Sequence, residues 1–346
     1  MPIPEELKEY AARLGFAGSE TMGEILALLF PDEESRKIAQ SLHRPATFGD
    51  IAAVTGIPLN RVEAVAERLV RGGVVGRYIE PRDKIKLFGA MIELRDASII
   101  SPEASAELAH LWERLITEDL RQVVPVWQRL EMPALLRVVP IEETVPAQNL
   151  ILDIDSARQI LREAELIAAS PCPCRVQARQ VGKGHDCPAP KDVNLCLQIN
   201  LFAQHALERG VGESISNEEA LRRIGMAEDA GLVHQVRNNV KKDMLMCNCC
   251  SCCCTGLYMI DKLGYNAYAK SRFQVEFETS TCKGCGKCVQ RCQFKAITID
   301  KSIPVKERVA EIDFDKCYGC GYCVATCPTK SLTLKEVRPR EFVRTT

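Results

Sequence analysis

Apolar residues recur at helical spacing through much of the first 130 positions. Met22 to Phe30 forms a short apolar helix, and Glu33 to Leu42 a second. Phe48 to Thr55 reads as a third, ended by Gly56. Pro58 and Asn60 open a fourth over Arg61 to Val70, which Arg71-Gly72-Gly73 stops. Val74 to Ile79 and Lys84 to Leu87 then suit two strands of a hairpin. Helices followed by a two-stranded wing predict a winged-helix-like module over residues 1–90.

The spacing predicts helix again over 100–130, with Leu108, Leu111, Trp112 and Leu115 as core candidates. Pro133, Pro140 and Pro146 interrupt the pattern before another helix at 155–169, so 91–168 reads as a helical linker. Helices are expected at Leu195–Leu207 and Ser216–Ala230, the second opened by a capping box of Ser216 and Glu219. Residues 169–268 are therefore expected to form a central, helical, cysteine-rich module. From about residue 272 the period changes. Phe273 to Phe277 alternates as a strand does, and short strands at Ala296–Ile299 and Ser331–Leu334 each follow a cysteine loop. Loop, short helix and strand occur twice, which sets off residues 269–346 as a ferredoxin-like domain. The fold class expected is α+β and multidomain.

Composition changes this picture at one point. With 46% hydrophobic and 26% charged residues the chain is ordinary, and a formal net charge of -1 favours neither nucleic acid nor membrane. The 18 cysteines are not ordinary: all lie between Cys172 and Cys327. Clustered cysteines mean disulfides or metal. Met1-Pro-Ile-Pro-Glu-Glu has no apolar core of signal-peptide type, and no apolar run is long enough to span a bilayer. A reducing cytoplasm is expected, where such thiols are metal ligands.

Two runs have identical spacing. Cys282, Cys285, Cys288 and Cys292 are followed by Cys317, Cys320, Cys323 and Cys327, each with gaps of two, two and three residues. This is the spacing of bacterial two-cluster ferredoxins, in which the fourth cysteine of each run ligates the other cluster. One [4Fe–4S] cluster is assigned to Cys282, Cys285, Cys288 and Cys327, the other to Cys317, Cys320, Cys323 and Cys292. Gly284, Gly286, Gly319 and Gly321 would let the backbone approach the sulfides. Zinc prefers paired Cys-x2-Cys elements with a longer spacer. Pro328 follows Cys327, whereas Gln293 follows Cys292, so the turn around Cys292 is expected to differ.

Ten cysteines remain: Cys172, Cys174, Cys187, Cys196, Cys247, Cys249, Cys250, Cys252, Cys253 and Cys254. Three readings stand: one or two further iron–sulfur clusters, zinc or another metal, and redox-active or buried inert thiols. The first is preferred because the chain already requires cluster loading. Arg175 could offset cluster charge, and His185 is either a ligand or a solvated loop histidine. Adjacent cysteines point apart, so all six of Cys247–Cys254 cannot serve one centre. A cluster with only three protein ligands would leave an open iron, and a non-cubane cluster is an analogy of the same rank.

Taken together, Cys172-Pro-Cys174-Arg175, Glu219-Ala-Leu, Ala230-Gly-Leu-Val-His234, the run Cys247 to Cys254 and both ferredoxin runs resemble a family of anaerobe iron–sulfur proteins with a winged-helix-like N-terminus. The resemblance implies anaerobic redox metabolism with a partner oxidoreductase or soluble electron carrier. Three functions follow. The first is an electron-transfer protein or subunit, the second an oxidoreductase with a catalytic cluster at Cys172–Cys254, the third a cluster-dependent DNA-binding regulator. Residues 1–80 hold nine Lys or Arg against twelve Asp or Glu, which disfavours DNA. Gly182-x-Gly184 lacks the context of a nucleotide site.

Overall fold

Three helices in the N-terminal region begin where side chains cap them. In the computed structural model, which describes residues 2–241, 244–305 and 307–345, Ser19 accepts from the Met22 N–H at the start of helix Glu20–Leu29. Asp32 and Thr47 form capping boxes ahead of Glu33–Ser41 and Phe48–Thr55. Gly56 ends the latter in the left-handed region, at φ 70°. Pro58 precedes the helix Leu59–Arg71, whose Val62, Val65, Ala66 and Leu69 are buried. Strands β1 (Ala46–Thr47), β2 (Val75–Arg77) and β3 (Lys84–Leu87) form an antiparallel sheet in the order β1-β3-β2.

These elements belong to the first of two compact units: Met1–Met132, Pro171–His185 and Leu207–Val211. The stretch expected to be helical at 100–130 is Ala106–Arg114 and Leu120–Arg129, joined by a π-helical turn at Leu115–Asp119. The helix Pro173–Gln180 begins with proline at a position whose N–H has no intrahelical partner.

The second unit is Pro133–Ser170, Asp186–Ala206 and Gly212–Thr346. Its centre is a seven-stranded sheet of β4 (Leu136–Val138), β5 (Ile167–Ser170), β6 (Cys196–Ile199), β7 (Glu213–Ile215), β8 (Val233–Arg237), β9 (Met244–Cys249) and β10 (Tyr268–Ala269). The order is β10-β4-β8-β9-β6-β5-β7, and only the β10–β4 pair is parallel. On one face Leu197, Ile199, Val236 and Met246 pack with Ile160, Leu161, Ala220 and Ile224.

This sheet corrects the expectation of a helical central module. The helix expected over 155–169 stops at Arg162 and gives way to β5. That expected over Leu195–Leu207 is β6 followed by the helix Leu201–Glu208. Asn200, at φ 53°, breaks between them. Its side-chain oxygen accepts from the Glu165 and Leu166 N–H groups at 3.0 and 3.3 Å. Four-residue apolar runs do not separate the two periods, and pairing decided the outcome. Ser216 does cap the helix Asn217–Asp229, but the Glu219 carboxylate bonds Arg222 and Arg223 instead of turning back.

The C-terminal part adds two antiparallel ribbons, β11 (Phe273–Phe277) with β14 (Leu332–Glu336) and β12 (Ile297–Ile299) with β13 (Ala310–Ile312). Arg272 locks the first ribbon onto the unit. Its buried guanidinium reaches Asp155 at 2.5 Å and also pairs with Glu336. Asp155 is itself buried, so removing Arg272 strands a carboxylate away from water. Arg272→Ala is expected to cost about 3–5 kcal/mol, read as a clear fall in the thermal midpoint of the purified holoprotein. An unchanged midpoint would show that the pair does not hold the ribbon.

Candidate metal centres

Two cysteine loops frame the C-terminal ribbons with internal symmetry. Every landmark recurs 35 residues on, from Cys282 to Cys317 and Cys292 to Cys327. The helix Lys287–Arg291 repeats as Tyr322–Thr326. Even the left-handed Lys295 recurs as Lys330, both at φ 54°. Gly284, Gly286, Gly319 and Gly321 all have positive φ. At Gly319 a Cβ would lie 2.0 Å from the Phe273 carbonyl oxygen, and at Gly284 it would lie 2.4 Å from Arg308 Cβ. At Gly286 it would meet nothing, so that position asks only for the backbone conformation.

The fourth cysteine of each run sits in a matched cradle of backbone N–H groups. Phe294, Ala296 and Ile297 point at the Cys292 sulfur. Thr329, Ser331 and Leu332, their equivalents, point at Cys327. The outcomes differ. Deep burial raises the Cys292 thiol above its ordinary value, helped by nearby Cys317. At Cys327 burial pulls the same way, but the Thr329 hydroxyl and the N–H cradle win, and the thiol is lowered.

Electrostatic contact runs between the two loops. Burial raises Cys323 well above its ordinary value, reinforced by Cys320, Cys317, Cys292 and Cys288. Burial raises Cys320 to about 12, reinforced by Cys292 and Cys317. Burial also raises Cys288, reinforced by Cys285 and Cys282. The two loops differ in exposure: Cys317 and Cys320 are buried, Cys285 is exposed. Phe294 stacks on Tyr318 with centroids 4.2 Å apart, between the turn after Cys292 and the loop that starts at Cys317.

The loops are fastened to the rest of their unit. The Ile141 N–H donates to the Cys320 carbonyl at 3.1 Å. The Tyr322 hydroxyl donates to the Leu232 carbonyl at 2.5 Å. Gln293, in the place that Pro328 fills in the second repeat, is a bridge: its amide nitrogen donates to the Gly231 carbonyl at 3.0 Å, and its amide oxygen accepts from the Ser251 N–H at 2.8 Å. Nothing local in the sequence signals those partners.

Four of the ten central cysteines converge. The sulfurs of Cys187, Cys250, Cys252 and Cys253 all lie within 4.8 Å of one another. Cys250 is 3.5 Å from Cys187 and 3.1 Å from Cys252, and Cys252 is 3.6 Å from Cys253. Hydrogen bonds from Cys250, Cys252 and Cys253 lower the Cys187 thiol, while contacts with Cys187 and Cys250 raise Cys252 and Cys253.

The remaining six are spread over other elements. Cys254 is buried at the start of the helix Thr255–Leu263, its sulfur 2.9 Å from the Tyr268 hydroxyl. Leu197 and Met246 pair on the core face of the sheet, so Cys196, Cys247 and Cys249 occupy the opposite face. Gln235, paired with Cys247, shares that face. It is fully buried, and neither end of its amide has a hydrogen-bond partner among the described residues. Cys172 and Cys174 lie in the other unit, where Arg95 donates to Cys174 Sγ at 3.2 Å and to Gln177 at 2.8 Å. Arg175 is buried there. The His185 ring is exposed and faces the Gly182 carbonyl at 2.9 Å.

No curated protein matches the chain. A family model described as a 4Fe-4S dicluster domain matches residues 281–331, which takes in both repeated loops. With that match, the chain is an iron–sulfur protein with a region similar to 4Fe-4S dicluster domains.

Proposed function

We propose that this protein is an electron-transfer component of an oxidoreductase system in anaerobic metabolism, working in a reducing cytoplasm. Among the described residues no helix is long and apolar enough to cross a membrane. Cys282, Cys285, Cys288 and Cys327 would hold one [4Fe–4S] cluster, and Cys317, Cys320, Cys323 and Cys292 the other. Supporting the placement of Cys292 with the second loop, it lies near enough to Cys317, Cys320 and Cys323 to interact with each electrostatically. The donor set fits such groups, since the Gly284 and Ala296 N–H groups point at the Cys282 and Cys292 sulfurs at 3.5 and 3.2 Å. The clusters would supply one-electron redox chemistry. The protein's part is to hold the sulfurs, direct N–H groups at them and shield one loop from water.

The observation that carries the reading is the difference between the loops. The Cys282–Cys288 loop is open to a partner, with Cys285 exposed. Arg308 packs on Gly284 and donates to the carbonyls of Lys301 and Ile303. That segment shows Ile303, Val305 and Val309 to solvent. An apolar patch beside an outward-facing centre suits a transient redox partner. The Cys317–Cys323 loop faces inward and suits an inner relay.

The N-terminal module, read as a winged helix, is proposed as a protein-docking element. On its helix Leu59–Arg71, Arg61 bonds Glu34 at 2.7 Å and Arg68 pairs with Asp32. Cations engaged in this way are poorly placed for phosphate. A second reading, a catalytic centre in the central region, is favoured by one observation: unsatisfied Gln235 on the sheet face of Cys196, Cys247 and Cys249. A buried amide without partners is costly unless another group meets it. One or two further iron–sulfur clusters on the central cysteines belong to the electron-transfer reading as well as to this one.

Iron and acid-labile sulfide on anaerobically purified protein test the proposal. About eight of each per chain is expected from the two loops, and a larger number would locate more iron on the central cysteines. Cys285→Ser is expected to remove about four irons and to stop electron transfer, while far-UV circular dichroism is unchanged. Full cluster signal with normal electron transfer would refute the ligand assignment. Gly319→Ala should abolish loading of the inner loop. Gly286→Ala should load normally and lose only about 1–2 kcal/mol in denaturant unfolding. Equal behaviour of the two variants would mean that close backbone approach is not what Gly319 provides.

A further inference from the structure

Four sulfurs within 4.8 Å of one another is an arrangement with few chemical uses. It is not a set of disulfides, because the shortest of the three sulfur separations above, 3.1 Å, is far beyond the roughly 2.05 Å of an S–S bond. Nor is it apolar packing alone. Cys187, Cys250 and Cys253 sit among Ala189, Leu195, Ala227 and Leu232, where a thiolate is expensive unless something positive meets it.

Spacing separates the two metal options. In a cubane each thiolate caps its own iron and points outward from it. Neighbouring thiolate sulfurs then lie well farther apart than the irons they cap, because the outward bonds diverge from the cluster's centre. On a single tetrahedral ion all four sulfurs share one centre. For a zinc–sulfur bond of about 2.3 Å the tetrahedral edge is about 3.8 Å. Separations of 3.5, 3.1 and 3.6 Å, all somewhat below that edge, suit the second case and are too short for the first. A soft, all-thiolate tetrahedron also discriminates against magnesium, calcium and manganese.

Chain topology gives such an ion a task. Residues 186–195, which carry Cys187, contain neither helix nor strand. The other three sulfurs come from the short loop between β9 and the helix Thr255–Leu263. An ion there would fasten the irregular segment to the end of the sheet. With all four positions taken by protein, it would have no open site for substrate.

We propose that Cys187, Cys250, Cys252 and Cys253 form a closed, mononuclear structural zinc site, separate from the two ferredoxin-like loops. This holds whether or not the electron-transfer reading does. It leaves Cys196, Cys247, Cys249 and Cys254 of the same unit outside the site.

The test uses the full chain, purified anaerobically and then incubated with Zn2+ alone. Zinc content and zinc-edge X-ray absorption are measured beside iron content and the reduced-state EPR spectrum. The expected result is one zinc per chain with four sulfur neighbours at about 2.3 Å. The double variant Cys252→Ser/Cys253→Ser should lose that zinc and keep the iron and EPR signals of both cubanes. Cys247→Ser should keep the zinc. Should the double variant fail to fold, the absorption spectrum of the unmodified protein decides alone. Zinc that is absent, or bound by oxygen or nitrogen, overturns the proposal. So does iron, rather than zinc, that disappears with Cys252 and Cys253. Failure of the electron-transfer reading would show elsewhere, as missing cubane EPR signals with zinc still bound.

Discussion

A thiolate is a charge, and burying it without a compensating partner costs far more than one packing contact returns. The chain carries 18 cysteines within about half its length, and most are not exposed. The C-terminal architecture follows from meeting that cost. Tight loops turn backbone N–H groups toward sulfur. The chain can make those turns only where it gives up side chains, as at Gly319 against the Phe273 carbonyl. The matched donors around Cys292 and Cys327 show the same solution used twice, and their opposite shifts show how burial retunes it.

The seven-stranded sheet is the platform for this chemistry. One face is an ordinary apolar core around Leu197, Val236 and Met246. The other face holds Cys196, Cys247 and Cys249 with Gln235. The cysteine loops are pinned to the same unit through Ile141, Tyr322 and the Arg272–Asp155 pair. Side chains that must keep fixed separations are thus anchored on strands and on buried polar contacts, which hold geometry better than exposed loops do.

Some of this was legible beforehand and some was not, for physical reasons. The ferredoxin-like repeat was legible because metal ligation fixes spacing, and spacing survives in one dimension. The helices of the first 130 residues were legible because caps such as Asp32 and stops such as Gly56 act locally. The sheet was not. Ile167–Ser170 and Cys196–Ile199 are too short to reveal their period, and their partners lie tens of residues away. The convergence of Cys187 on Cys250, Cys252 and Cys253 could not be read either. A count of ten thiols does not say which four meet. Glu219 shows the converse: a local capping rule was satisfied in sequence, and two arginines claimed the carboxylate.

Gln293 breaks the symmetry of the two repeats. Its counterpart Pro328 has no amide N–H and stiffens only its own turn. Gln293 instead spends both ends of its amide on distant backbone, one on Gly231 and one on Ser251, inside the run that carries Cys250, Cys252 and Cys253. The turn that presents Cys292 therefore has a mechanical linkage to the thiol loop. A displacement of either is handed to the other directly, without passing through the sheet. The duplicated halves have ceased to be interchangeable parts: only the first is tied through this turn residue to the thiol loop.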